Sequence, residues 1–508
     1  MFRLRLEDPE SLRLGRKASA VFLLAGCLAI VGWQAISFER RAELDTTYGI
    51  SGSRGLYPGL SQRFFYFFYY TGKFPLSIEP PGLELEYSGE AAHALLDSPG
   101  LVNESYAFVR TGDLGKIFLL YPDAWLRGTP RGVTLQAFNR IFLTLALLAL
   151  FVAFSLQQHR LFAVVLVALF GANPFLLREV YVQNNVHGYQ IATALLALAL
   201  CSPLILRRSS ARLLLGIPVL AGVFLATARE VRPTPALIVI SVAACCLFAS
   251  GGWRRRAALC GLLAVSFAGT TAAWSRYWDH QFAESVRTVE AAGGTPYQGA
   301  RNRYHSLWHP VWCGLSDFDR KYGHKWSDRA AYRFAIPRVN IRFGTDYKLV
   351  PKSYLLWNFE EGNAPYRIKP ETLPAYNLIL RDAILHQIRE DPAWYAEILG
   401  KRIVRIFSDT TPVRFGLGPN HVEFPFSAWL FFPVLAWLLV RRDWSQVKLL
   451  LFFVPTSLTA LLIHSGRGFN YNTGFHLVLF AMLSCWVVLG LYARFARAGS
   501  GPTGAEHA

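Results

Sequence analysis

Residues 16–45 read RKASAVFLLAGCLAIVGWQAISFERRAELD: two basic residues, an apolar run from Ala18 to Ser37, then an abrupt change to charged chain. A run of that length crosses about 30 Å of hydrocarbon as a helix, so the bilayer is the solvent against which this chain is read. Composition agrees. A chain of 508 residues with 53% hydrophobic and 14% aromatic side chains and a mean hydropathy of +0.26 is too oily for a soluble enzyme of this size. Leu23-Leu24-Ala25-Gly26-Cys27 has the look of a lipoprotein cleavage box, but the apolar run continues to Ile36, so an uncleaved anchor is expected.

Working outward, apolar runs near spanning length recur at 137–156, 161–177, 189–206, 213–228, 234–250, 257–274, 424–440, 447–464 and 473–493, making about ten spans with the first. Pro203, Pro218 and Pro235 fall in or beside them. The expected fold is an all-α polytopic membrane protein with two extracytoplasmic inserts, mixed or α-rich. The chain divides into a cytoplasmic tail (1–17), a first helix (18–37), a first outer loop (38–135), helices two to seven (136–274), a second insert (275–423), helices eight to ten (424–493) and a second tail (494–508). Basic residues at alternate junctions set this orientation: Arg13, Arg16 and Lys17, then Arg207 and Arg208, Arg254 to Arg256, Arg441 and Arg442, and Arg494 and Arg497. The net charge of +18 therefore reads as a topology signal, and nucleic acid is not an expected partner.

Six of the seven cysteines lie in spans; Cys313 alone lies in an insert, where it reads as a small buried hydrophobe. No disulfide framework is possible within the inserts, and no Cys/His spacing matches a zinc site. No phosphate-cradling glycine loop is present, so an activated donor, with membrane-bound lipid phosphates the obvious candidates, is expected in place of ATP.

The unusual residues fall in the inserts and outer connections. Glu43 and Asp45 lie within about two helical turns of the first membrane exit, where an acid reaches a lipid headgroup. The aromatic run Phe64–Tyr70 suits either an interfacial element or packing against the bundle. Asp113 and Asp123 read as helix caps or as substrate groups. The connection Asn173–Gly188 is too polar for a simple turn, and on a continuous helix Glu179 and His187 would share a face. Arg232 and Arg467 sit at outer connections where few arginines are expected, and a guanidinium binds phosphate oxygens in a bidentate fork. The densest stretch runs from His305 through Trp308, His309, Trp312 and Asp317 to Trp326 and Asp328; aromatic faces and carboxylates of this kind suit a sugar, or a compact structural loop. Downstream, Pro374–Phe407 carries apolar residues at helical spacing and is expected to form two amphipathic helices broken at Asp391-Pro392 and resting on the membrane surface.

This arrangement resembles the GT-C superfamily of membrane glycosyltransferases, which use polyprenyl-phosphate-linked sugars and include protein mannosyltransferases and aminoarabinose transferases. The resemblance is architectural and covers most of the chain. It implies a catalytic acid at Asp45, with Glu43 as fallback, and a second acidic position at Glu179. The pattern His305-x-x-Trp308-His309 with Gly314-Leu315 and Tyr322-Gly323 also looks like stretches in bacterial members, whereas the contiguous paired acids usual there are absent. The implied reaction is an inverting transfer to an acceptor hydroxyl of a glycan, lipid or protein at the outer face of a bacterial inner membrane, with Arg232 or Arg467 on the leaving phosphate. No metal is demanded by this scheme, although His305, His309 and the aspartates leave room for a divalent ion. Two rivals are a cell-surface polysaccharide polymerase or ligase, and a non-enzymatic lipid or polysaccharide transporter.

Overall fold

The computed structural model describes residues 6–9, 14–39, 58–73, 76–78, 88–97, 100–103, 114–181, 187–206, 211–294, 296, 307–319, 321–349, 356–358, 366–368, 370–417, 420–464 and 469–499. The first helices are α1 (Arg16–Glu39), α2 (Pro58–Thr71), α3 (Gly89–Leu96), α4 (Tyr121–Arg127), α5 (Gln136–Leu156), α6 (Arg160–Ala172) and α7 (Pro174–Tyr181). Next come α8 (His187–Leu206), α9 (Ala211–Val231), α10 (Ile238–Leu247), α11 (Trp253–Ala291), α12 (Trp308–Gly314) and α13 (Asp328–Phe343). The chain continues with α14 (Pro374–Glu390), α15 (Pro392–Ser408), α16 (Phe431–Val440), α17 (Trp444–Leu451), α18 (Leu458–Leu462) and α19 (Phe469–Gly499). Strands are few and antiparallel: β1 (Leu76–Ile78) with β2 (Leu101–Asn103), β3 (Lys348–Leu349) with β4 (Leu356–Asn358) and β5 (Tyr366–Ile368), and the hairpin β6 (Thr411–Leu417) with β7 (Asn420–Phe426).

Seven helical stretches among the described residues are long and apolar enough to span a bilayer, and eight if α6 and α7, bent by 59° at their junction, form one broken span. That is fewer than the ten expected, and the reasons are local. Pro233 and Pro235 delay the start of α10, and Gly251 at φ 118° turns the chain soon after it, leaving a helix about 15 Å long. At the other short run, residues 424–426 go into β7, and Arg442 adopts a left-handed conformation just past the end of α16.

Helix α11 departs from expectation the other way. It has 39 residues, which at 1.5 Å each make about 58 Å, and so it runs far beyond its apolar part. The first insert packs along this outer half. Tyr66 and Phe67 of α2 are fully buried with Ala92 and Val289, the Tyr66 hydroxyl donates to Ser88 O at 2.9 Å, and Lys73 pairs with Glu284 at 3.4 Å. The aromatic run is thus largely a packing surface.

Inside the bundle, small residues let backbones approach. A Cβ on Gly26 of α1 would lie 2.2 Å from the Phe151 ring of α5, and one on Gly222 of α9 would meet Ser266 Oγ of α11 at 2.0 Å. A second core sits at the other end of the spans. It joins Phe65 and Leu120 of the first insert, Trp312, Tyr332 and Leu380 of the second, and Tyr189, Val231 and Trp278 from the ends of α8, α9 and α11. The two inserts therefore share one hydrophobic core over the same end of the bundle. The helix pair expected over 374–407 is present as α14 and α15, divided at Asp391, whose carboxylate caps α15 by accepting from the Trp394 N–H at 3.1 Å.

Candidate functional site

The site is built around the short helix α12. Its last residue, Gly314, lies against the end of α18 so closely that a Cβ there would fall 1.6 Å from Ile463 O. Only a glycine permits that approach. Three residues on, the Asp317 side chain has no exposed area. The Arg402 guanidinium, equally buried on α15, donates from Nε to Asp317 Oδ2 at 3.0 Å, and its two terminal nitrogens donate to the carbonyls of Gly314, Leu461 and Ile463 at 2.6–3.1 Å. Burial pulls the Arg402 pKa down while Asp317 opposes it. The second carboxylate oxygen of Asp317 accepts from Nδ1 of His464, just past α18. A carboxylate only accepts, so Nδ1 is the donor in this pair, and in the neutral ring the lone pair is on Nε2. The His464 side chain is 16% exposed, and the half-open Trp326 ring stacks on it with centroids 3.8 Å apart. A buried carboxylate behind a partly open imidazole is an arrangement that can hold a base in place.

At the other end of α12, His309 is buried. Its Nδ1 meets the Tyr376 hydroxyl at 2.6 Å, and its Nε2 faces Asp328 Oδ1 at 3.2 Å, Glu371 Oε1 at 3.5 Å and Cys313 Sγ at 3.9 Å. Tyr332 donates to Glu371 Oε1 at 2.7 Å. Burial opposes a charge on the His309 ring, but Glu371, Asp328 and Cys313 outweigh it and hold the pKa up at about 10. The Tyr332 and Tyr376 hydroxyls are pushed well above their ordinary value, first by burial and then by Glu371, and stay protonated.

The expected site residues are thus partly rearranged. Asp317 was expected to meet a sugar hydroxyl; fully buried, it instead holds His464. Trp308 is half-buried against the insert core, and His309 is closed in. Glu179 is buried at the end of α7 and accepts from Arg178 at 2.9 Å. It does not share a continuous helix with His187: α7 ends at Tyr181 and α8 begins at His187, and the two helices touch where Gly188 lies against Val180. The side chain of His187, and Glu43, Asp45, Asp113, His305 and Arg467 entirely, lie outside the described residues. Arg232 is half-buried just past α9, beside the buried Glu230, which accepts from Trp278 Nε1 at 2.9 Å. Asp123 caps the chain at Thr134, accepting its N–H at 2.6 Å and its hydroxyl at 3.1 Å, and pairs with Arg127.

Among the bundle helices, α1, α5 and α6 enclose an apolar cleft of about 320 Å³, lined by Gly26, Trp33, Gln34, Phe151, Gly171 and Arg414.

Sequence reasoning missed Arg402, Glu371 and the role of His464. A signal existed for Arg402: it stands four residues from both Ile398 and Ile406, a charge in the apolar stripe of an amphipathic helix, and all three are buried. The partners of Asp317 are 85 and 147 residues away, beyond any local pattern.

These features define a mostly helical, multi-pass membrane protein with a buried-acid and histidine site at the end of its bundle. Comparison with known family models, curated proteins and solved structures returns no match.

Proposed function

We propose that the chain is an inverting glycosyltransferase that moves a sugar from a polyprenyl-phosphate donor to an acceptor hydroxyl at the outer face of a bacterial cytoplasmic membrane. The observation that carries this reading is the Asp317–His464 pair beneath Trp326, just past the end of α18. His464 Nε2 takes the proton of the acceptor hydroxyl as its oxygen attacks the anomeric carbon. The bond from that carbon to the phosphate oxygen breaks, and the lipid phosphate leaves with the electron pair. Asp317 fixes the ring tautomer and stabilises the imidazolium, Trp326 offers a face for a sugar ring, and Arg232 and Arg467 are assigned to the departing phosphate. The cleft between α1, α5 and α6 suits a segment of the isoprenoid chain, with Arg414 among its lining residues. Asp45, with Glu43, is the competing base.

The test is sugar transfer from a panel of synthetic polyprenyl-phosphate sugars by the whole protein in nanodiscs. His464→Asn is expected to lower the rate by about 10²–10⁴-fold with little change in thermal unfolding. Full activity in His464→Asn with loss in Asp45→Asn moves the base to the first insert. Donor binding without turnover in the wild type overturns the enzyme reading in favour of a carrier.

A further inference from the structure

We propose that His309, Cys313, Asp328 and Glu371 form a zinc-class metal site that clamps the second insert. His309 and Cys313 are one helical turn apart on α12, so both face the same way; Asp328 opens α13, and Glu371 stands just before α14. Local spacing gave no zinc pattern because only two of the four donors are near in sequence.

The His309, Cys313 and Asp328 donors fit around one ion, and the distance of Glu371 from His309 Nε2 suits a fourth. With metal–nitrogen and metal–oxygen bonds of about 2.0–2.2 Å and metal–sulfur of about 2.3 Å, the donors of a tetrahedral site stand roughly 3.3–3.6 Å apart. From His309 Nε2 the other three lie at 3.2, 3.5 and 3.9 Å, and the His, Cys and Asp donors all fall within 4.8 Å of one another.

The outer contacts point the same way. A histidine that ligates through one nitrogen donates its other N–H to an oxygen that fixes the ring, and ligating carboxylates are themselves hydrogen-bonded. Here Nδ1 meets Tyr376 Oη at 2.6 Å, and Tyr332 donates to Glu371 at 2.7 Å. Three of the four ligands are buried, with only Asp328 at the rim. Three donors fall within reach of one ion and Glu371 stands 3.5 Å from His309 Nε2; closing the shell with that carboxylate would make the site structural and leave no position for water. The ion would join α12, α13 and the start of α14. Because α12 leads directly to Asp317, it would also fix the base from the far side.

The test reads the metal, not sugar transfer, so it stands or falls apart from the catalytic proposal. Whole protein in nanodiscs, purified without added metal, is analysed for metal content, then stripped with chelator and titrated with cobalt(II). One zinc equivalent per chain is expected, with a thiolate-to-cobalt charge-transfer band that Cys313→Ser abolishes. Tyr376→Phe should weaken cobalt binding by roughly 10–100-fold while keeping the band. If Cys313→Ser fails to fold, Asp328→Asn at the rim reports the same loss of affinity. Folded wild type that carries no metal and gives no charge-transfer band with cobalt overturns the proposal.

Discussion

The two ends of α12 hold ionisable groups in opposite ways. Around His309 each polar group meets another, two fully buried tyrosines back the set with Asp328 alone at the rim, and the ring is closed from solvent. Around Asp317 the acid and the arginine are sealed equally well, yet the histidine they hold is left partly open beneath a half-exposed tryptophan. Closure on all sides suits a fixture. Closure on all sides but one suits a reactive group, since the buried partners set its tautomer and orientation while its remaining nitrogen meets what arrives.

The comparison breaks first at Arg402. Arg402→Ala leaves Asp317 buried without its cation and is expected to cost about 3–5 kcal/mol, read as a fall in thermal unfolding temperature. Adding Asp317→Leu to Arg402→Met should recover most of that loss while abolishing transfer, which would separate the stability of this end from its chemistry. A wild-type melt for Arg402→Ala would mean that the arginine is not what seals the acid. Gly314→Ala comes next. The new methyl group meets backbone, not a movable side chain, so α12 and α18 must part, at a cost of about 1–3 kcal/mol or more, and tryptophan fluorescence should report Trp326 leaving His464.

The smallest effect sharpens the comparison through His324, a buried ring between Trp312 and Trp394 that bonds Gln387 through Nε2 at 2.9 Å. Burial lowers its pKa below 6.5 in the folded chain. Between the folded and unfolded values the unfolded chain binds more protons, so this contribution to stability is complete above pH 6.5 and declines as pH falls toward the folded value. Unfolding measured from pH 7.5 to 5 should show a slope of at most about 1.4 kcal/mol per pH unit from this group, reduced in His324→Gln. An unchanged slope would assign the acid sensitivity elsewhere.

Much of the architecture was legible because it is written in local pattern. Apolar runs marked every bundle helix, and Asp391-Pro392 marked the break between α14 and α15. Span length was less legible: Pro233 and Pro235 trim α10, whereas nothing in the apolar pattern says that α11 continues to Ala291 once its hydrophobic stretch ends. For the candidate site, His309, Asp317 and Trp326 stand together in one stretch, but the residues they meet do not. Asp317 reads as a sugar contact until Arg402 and His464 arrive from distant segments and bury it. Cys313 reads as filler until the fold sets two carboxylates near the histidine one turn away.

Helix α11 has one further consequence. Trp274, Tyr277 and Trp278 cluster with Phe118 where its apolar part gives way, and they pack into the core that the two inserts share. From there the helix continues for roughly another 20 Å. Because the first insert is packed along that helix and shares a core with the second, one length of helix ties both inserts to the bundle. A change in bilayer thickness would reach both inserts first as a tilt of α11, because a helix of 39 residues tilts before it shortens.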